Sequence, residues 1–317
     1  MNFRTCLITF VTVTTLALSL LVFNLFAAES SVDVADGKRA ASLLEQIEKL
    51  RPLHTPMGKP QPGDWLTQHH EPGQTFLEYV DSHPMRPIGK RSTIYIQPLG
   101  EFTKTQRKII DLTAQFMSDY FMTPVKVSED LSLKIIPASA MRVHPTWGDA
   151  QILSTHVLEK VLKPRLPEDA AAYIAFTTSD LWPGEGWNFV FGQASLRSRV
   201  GVWSIYRNGN PDASEKDFAL CLRRTLQTAT HETGHMFSIP HCIAYECNMC
   251  GSNNRKESDR RPLWLCPQCD AKVNWAARSD PIARYEKLKV FCGKNGMKED
   301  EAFYEKSIAA LKPSEKK

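Results

Sequence analysis

The sequence predicts an α+β (mixed α/β) fold: a twisted mixed sheet, one long helix carrying a pair of histidines, and a small cysteine-rich appendage. Three observations lead there. Short runs of alternating apolar residues, such as Thr93–Gln97, stand between longer stretches of helical period, such as Lys104–Phe121. His231 and His235 stand four apart, the separation that brings two side chains to one helix face. Five cysteines follow between Cys242 and Cys269. At 317 residues the chain suits one large domain or two fused ones, and no internal repeat or long low-complexity linker divides it.

In chain order, Arg4 precedes an uncharged stretch from Leu7 to Ala28, and Glu29, Asp33 and Asp36 follow. The positive-inside bias puts the bulk of the chain across a membrane, and the stretch is long enough to span one. Residues 1–28 are therefore expected to be a signal peptide or signal anchor. The anchor is favoured, because Leu25 and Phe26 spoil the cleavage site that Ala27-Ala28 would offer. A buried helix of a soluble protein is the alternative. Residues 29–87 read as an N-terminal extension, 88–275 as the body and 276–317 as a helical tail packed on it. Within the body, Lys134–Ile136 and Ala171–Phe176 read as strands, separated by a helix over Asp149–Lys163 in which His156 sits at the core edge. Trp187–Gln193 and Val200–Tyr206 read as β-rich runs, with Gly192–Ser195 the candidate edge strand. A helix over Phe218–Phe237 follows, N-capped by Ser214 or Asp217. In the tail, Tyr285, Leu288 and Phe291, then Phe303, Ile308 and Leu311, mark two amphipathic helices.

The histidine spacing carries the chemistry. His231 and His235 can grip one metal, and Glu232 between them is placed as a general base that reaches a water rather than the ion. His241, six residues on, joins only if the helix stops and the chain bends back, which Pro240 assists. Three neutral imidazoles leave a zinc ion one open position, the pattern of a catalytic site. The bland reading, two exposed helix histidines, is opposed by His241 and by the cysteines behind it. Cys242 and Cys247 form one pair and Cys266 and Cys269 another, as in a closed structural zinc site, with Cys250 a fifth candidate and two disulfides the alternative. Two zinc ions per chain are expected, one catalytic and one structural.

The succession HExxH, His241-Cys242, Cys247 with Met249, then Cys266 and Cys269 resembles the signature of the archaemetzincins, a family of zinc metallopeptidases. Phrases upstream share the resemblance: GDWL at Gly63–Leu66, RSTIYIQPLGEF at Arg91–Phe102 and TTSDLWP at Thr177–Pro183. The resemblance implies a zincin-like (metzincin-like) catalytic domain with an active-site helix and an added four-cysteine zinc knuckle. It further implies His231, His235 and His241 as catalytic zinc ligands, Glu232 as general base, and Met249 as the methionine of the turn beneath the zinc. It favours Cys247 over Cys250 as a structural ligand, and it implies an edge strand that pairs with extended substrate. The chain departs from the pattern at Ser238, where the family has a glycine in the left-handed region, a conformation that costs a residue with a Cβ about 1–2 kcal/mol. The interval from Met249 to Cys266 is also one residue shorter. Gly251 stands where some metzincins place a tyrosine.

A net charge of +4 is too mild to argue for nucleic acid, and Arg255, Lys256, Arg260 and Arg261 are interleaved with Glu257 and Asp259. The expected partner is a peptide or protein substrate, the expected state a monomer, and the expected location membrane-anchored or secreted. An inactive, zinc-stabilised peptide-binding protein is the competing function. Cys221, Cys250 and Cys292 are left over, an odd number that suits free thiols.

Overall fold

A computed structural model describes residues 34–195 and 197–313. These divide after Glu45 into two units; α1, a helix over residues 34–50, begins in the first, and every other element lies in the second. The leader expected over residues 1–28 lies outside the described residues. Among the described residues no helix is long and apolar enough to cross a membrane.

The elements follow as α2 (Phe76–Asp81), β1 (Thr93–Leu99), α3 (Lys104–Phe121), β2 (Val125–Val127), β3 (Met141–Val143) and β4 (Ala150–Leu153). A single turn, α4 (Ser154–His156), then continues as a π-helical segment over Val157–Leu162. β5 (Ala170–Thr177), β6 (Asp180–Trp182), β7 (Gly192–Ala194) and β8 (Val200–Ser204) precede the long α5 (Glu215–Met236). The chain closes with α6 (Arg255–Asp259), α7 (Pro267–Ala276), α8 (Pro281–Lys294) and α9 (Lys298–Leu311).

The main sheet has the order β2-β1-β5-β8-β7, with β7 antiparallel and the rest parallel. β5, at its centre, is buried along its whole length, which is why its sequence AAAYIAFT is an apolar run rather than an alternation. A second sheet, β3-β4-β6, lies outside it. α3 starts in a capping box between Thr103 and Gln106 and packs against α5 and α8. α5 starts at Ser214, whose hydroxyl accepts from the Asp217 amide at 3.1 Å, and runs along β8 and β7.

Two local expectations are corrected. The stretch 134–136 is no strand: Leu133–Ile135 is a 3-10 turn, because the Ser132 hydroxyl caps the Lys134 amide and Pro137 follows. The helix expected over 149–163 begins only at Ser154, since 150–153 is strand β4, which pairs with β6 through Ile152 and Leu181. The same apolar residues satisfy either period over so short a span.

α7, α8 and α3 meet around one buried ion pair. Arg284 donates to Asp270 and to the Tyr120 carbonyl, both at 2.5 Å, and Asn274 donates to the second Asp270 oxygen at 2.7 Å. Asp270→Ala would strand a guanidinium that is 1% exposed. Denaturant unfolding should then show a loss of about 3–5 kcal/mol, and a loss below about 1 kcal/mol would mean the pair is not what joins these helices.

Candidate active site

The site is built where α5 ends. Ser238 takes φ 64, in the left-handed region, and around it the Ile239 amide donates to the Gly234 carbonyl at 3.1 Å and the Ser238 amide to the His235 carbonyl at 2.9 Å. That pair of bonds is the Schellman arrangement, which glycine usually serves. Here the serine hydroxyl compensates by accepting from the Met85 amide at 3.1 Å. Pro240 then prevents any return to helix, and the chain doubles back to bring His241 beside the helix histidines.

Ring centroids of His231, His235 and His241 lie 4.6, 5.3 and 4.9 Å apart pairwise. Their outer nitrogens are all engaged: His231 Nδ1 with the Asn248 carbonyl at 2.8 Å, His235 Nδ1 with the Ile239 carbonyl at 2.7 Å, and His241 Nδ1 with Glu71 Oε1 at 2.7 Å. A carbonyl can only accept, so Nδ1 of His231 and of His235 carries the proton and each Nε2 presents a bare lone pair. Yet those two Nε2 atoms face each other at 3.0 Å. Burial, reinforced by the neighbouring histidines, holds His231 well below the ordinary histidine range and His235 down to about 4, so neither is readily cationic. Converging neutral imidazole lone pairs are the donor set of a cation, and three of them suit zinc.

Glu232 is 8% exposed, and burial pushes its carboxyl up to about 8. Edge strand β7 runs directly past it: a Cβ at Gly192 would come within 2.7 Å of Glu232 Cγ. Met249 lies under the helix at Gly234, where a Cβ would come within 2.6 Å of its sulfur. Asn248, one residue earlier, is fixed by donating from Nδ2 to Thr230 Oγ1 at 2.7 Å, so one short loop supplies both the floor and the acceptor for His231.

Cys242, Cys247, Cys266 and Cys269 form the second group, their sulfurs all within 4.8 Å of one another. Backbone amides aim at them: Cys266 N at Cys247 Sγ (3.2 Å) and Cys269 N at Cys266 Sγ (3.5 Å), the latter at the N-terminus of α7. These donors favour thiolates, and four thiolates suit a closed zinc site. Cys250 is not one of the four, though its thiol touches Cys242, and it donates to the Tyr245 carbonyl at 3.3 Å. No pair is bridged; all seven described cysteines are free and buried.

A cleft of about 730 Å³ opens over the histidines, bordered by Trp65, His69, Trp187, Phe189 and Gln193. Trp65 and Glu71 come from the expected N-terminal extension, Trp65 within the GDWL phrase that shares the family resemblance. Nothing in the sequence marked Glu71, which meets His241 across 170 positions. The burial of Glu71 acts to raise its pKa, but hydrogen bonds from His241 and Trp65 outweigh it and hold the carboxyl below the usual range.

The sequence matches the model of peptidase family M54 over residues 90–275. It is 33% identical over 275 residues to human archaemetzincin-2, covering 77% of this chain and 76% of that one. To the archaemetzincin of Archaeoglobus fulgidus it is 30% identical over 183 residues, covering 57% and 99%. Among solved structures, archaemetzincin from Methanopyrus kandleri aligns with a TM-score of 0.49 and 26% identity, covering 60% of this chain and 98% of that one.

The turn at Ser238 separates two effects. Ser238→Ala keeps the left-handed strain and leaves the Met85 amide without its acceptor, whereas Ser238→Gly loses the same acceptor but relieves the strain. Thermal unfolding should rank the glycine variant above the alanine variant by about 1–2 kcal/mol. Equal stabilities would mean the strain is absorbed elsewhere.

Proposed function

The chain belongs to peptidase family M54, the archaemetzincins, and is a zinc metallopeptidase of peptide or protein substrates; from that premise we propose that His231, His235 and His241 hold its catalytic zinc and that Glu232 is its general base. The observation that carries this is the 3.0 Å approach of two Nε2 lone pairs whose Nδ1 protons are committed to carbonyls. Zinc held by these three histidines would supply Lewis acidity, polarising a carbonyl and lowering the pKa of a water from about 15.7 to about 7.

The protein's own groups do the rest. Glu232 accepts a proton from the attacking water and delivers it to the leaving amine. Among the described residues β7 pairs only with β8, so its outer edge is available to an extended peptide, and Gly192 lets that edge lie against Glu232. The four cysteines hold a second zinc whose work is to order the loop from Cys242 to Cys269. Both donor sets come from one chain, which supports a monomer. The run from Leu7 to Ala28 supports a membrane-anchored or secreted location. An inactive binding protein, suggested by the serine at 238, loses that motive because the serine reproduces the turn a glycine would make.

Metal analysis of the full chain should find about two zinc per chain. Glu232→Gln should keep both while peptide cleavage disappears; full cleavage in that variant would sink the mechanism, and a single zinc would remove the cysteine site. Gly192→Ala, which drives a methyl into Glu232, should lower kcat about 10- to 100-fold with metal content unchanged. Unaltered turnover would show that β7 is not where the base is positioned.

A further inference from the structure

The three site histidines are not secured alike. His231 and His235 stand on a helix and give their Nδ1 protons to carbonyls of their own neighbourhood, at Asn248 and Ile239. His241 stands on a loop, and its Nδ1 meets the Glu71 carboxylate. Which nitrogen of a neutral imidazole carries the proton is set by what the other end meets. A loop histidine without an acceptor would therefore be free in both tautomer and angle.

Glu71 is itself held. The same Oε1 accepts the Trp65 indole N–H at 2.9 Å. The Trp65 amide is gripped by both oxygens of Glu257 at 3.0 Å, and Asp64 beside it pairs with Arg260 at 2.7 Å. The indole lies flat against Gly251, where a Cβ would come within 2.5 Å of the ring. Farther back, Pro56 bridges to Tyr245 in antiparallel fashion. This strap is thus pinned to the cysteine loop, and both Trp65 and Glu71 precede residue 90, where the family match begins.

We propose that Glu71, held by Trp65, is a positioning residue that fixes His241 as the third zinc ligand, so that the strap before the matched domain completes the active centre. The inference rests on the assignment of the catalytic zinc to the three histidines. A carboxylate behind a ligating imidazole fixes its tautomer and raises its basicity, and removing such a partner costs about 10- to 100-fold in metal affinity. Trp65 keeps the carboxylate at the one place from which it reaches Nδ1.

The test is competition between chelator and the cobalt-substituted full chain, in wild type, Glu71→Ala, Glu71→Gln and Trp65→Phe. A thiolate-to-cobalt charge-transfer band reports the cysteine site, and total bound cobalt beyond that site's one equivalent reports the histidine site. Glu71→Ala should weaken cobalt at the histidine site by about 100-fold with the charge-transfer band intact. Glu71→Gln, which keeps an accepting oxygen but no charge, and Trp65→Phe, which loses the indole donor, should fall about tenfold. With zinc, kcat should drop in the same order and KM should stay, since the strap acts through His241. Histidine-site affinity within about twofold of wild type in Glu71→Ala overturns the proposal. If Glu71→Ala also loses the charge-transfer band, the isosteric Glu71→Gln decides: unchanged affinity there overturns it as well. A wild-type chain that binds metal but cleaves nothing would sink the peptidase mechanism and leave this inference standing. Normal cleavage with normal affinity in Glu71→Ala would sink this inference alone.

Discussion

Everything at the site depends on α5 stopping where it does. A helix advances about 1.5 Å and turns about 100° per residue, so six more residues of helix would carry His241 about 9 Å past His235 and onto another face. Only a left-handed residue with two bonds folded back over the last turn lets the chain reverse in the available length, and Ser238 supplies it. The same turn has a second consequence. By rotating the Ile239 carbonyl inward it gives His235 the acceptor that fixes its proton. The strain held at one serine thus serves two of the site's histidines, and the hydroxyl that accepts from Met85 also ties the turn to the segment before β1.

The cysteine site is more than an appendage that keeps a loop from fraying. Between its two pairs the chain contributes the Asn248 carbonyl to His231, Met249 to the floor beneath Gly234, and Glu257 to the Trp65 amide. The stretch 251–261, which carries Glu257, is too polar to be ordered by hydrophobic burial alone. Four clustered cysteine sulfurs, with backbone amides pointed at them, tie the two ends of that segment together. The histidine cluster is therefore oriented in part by the loop that the cysteine cluster holds together.

How far the sequence revealed this follows from the range over which each contact acts. A spacing of four along a helix is local geometry, as is the two-residue spacer between Cys266 and Cys269, so those residues and Glu232 were legible in the chain, whereas Cys247 rather than Cys250 as the companion of Cys242 came from the family resemblance. The helix bounds at Lys104 and Phe121 were legible for the same reason, and Ser214 was one of two caps offered for α5, which starts at Glu215 rather than Phe218. Stretches near 134 and 150 were misread because a serine cap or a strand pairing decided between periods that three or four apolar residues cannot distinguish. The acceptors behind the histidines were invisible in a different way. Two are backbone carbonyls, which every residue has, and the third is one glutamate among many, brought in by a contact that spans most of the chain.

The glycines at 192 and 251 show the same constraint from the other side. At Gly192 the missing Cβ leaves room for Glu232, and at Gly251 for the ring of Trp65. In both places a side chain that works at the site occupies space that an ordinary residue would have filled. A packed interior tolerates little displacement, so a residue opposite bare backbone is held to a narrower range of positions than one opposite a flexible side chain. Gly251 also stands where some metzincins place a tyrosine, and in this chain the vacated space takes an aromatic ring from far upstream, before β1, instead. The strap and the loop therefore fit each other: Trp65 can lie flat here only because residue 251 has no Cβ.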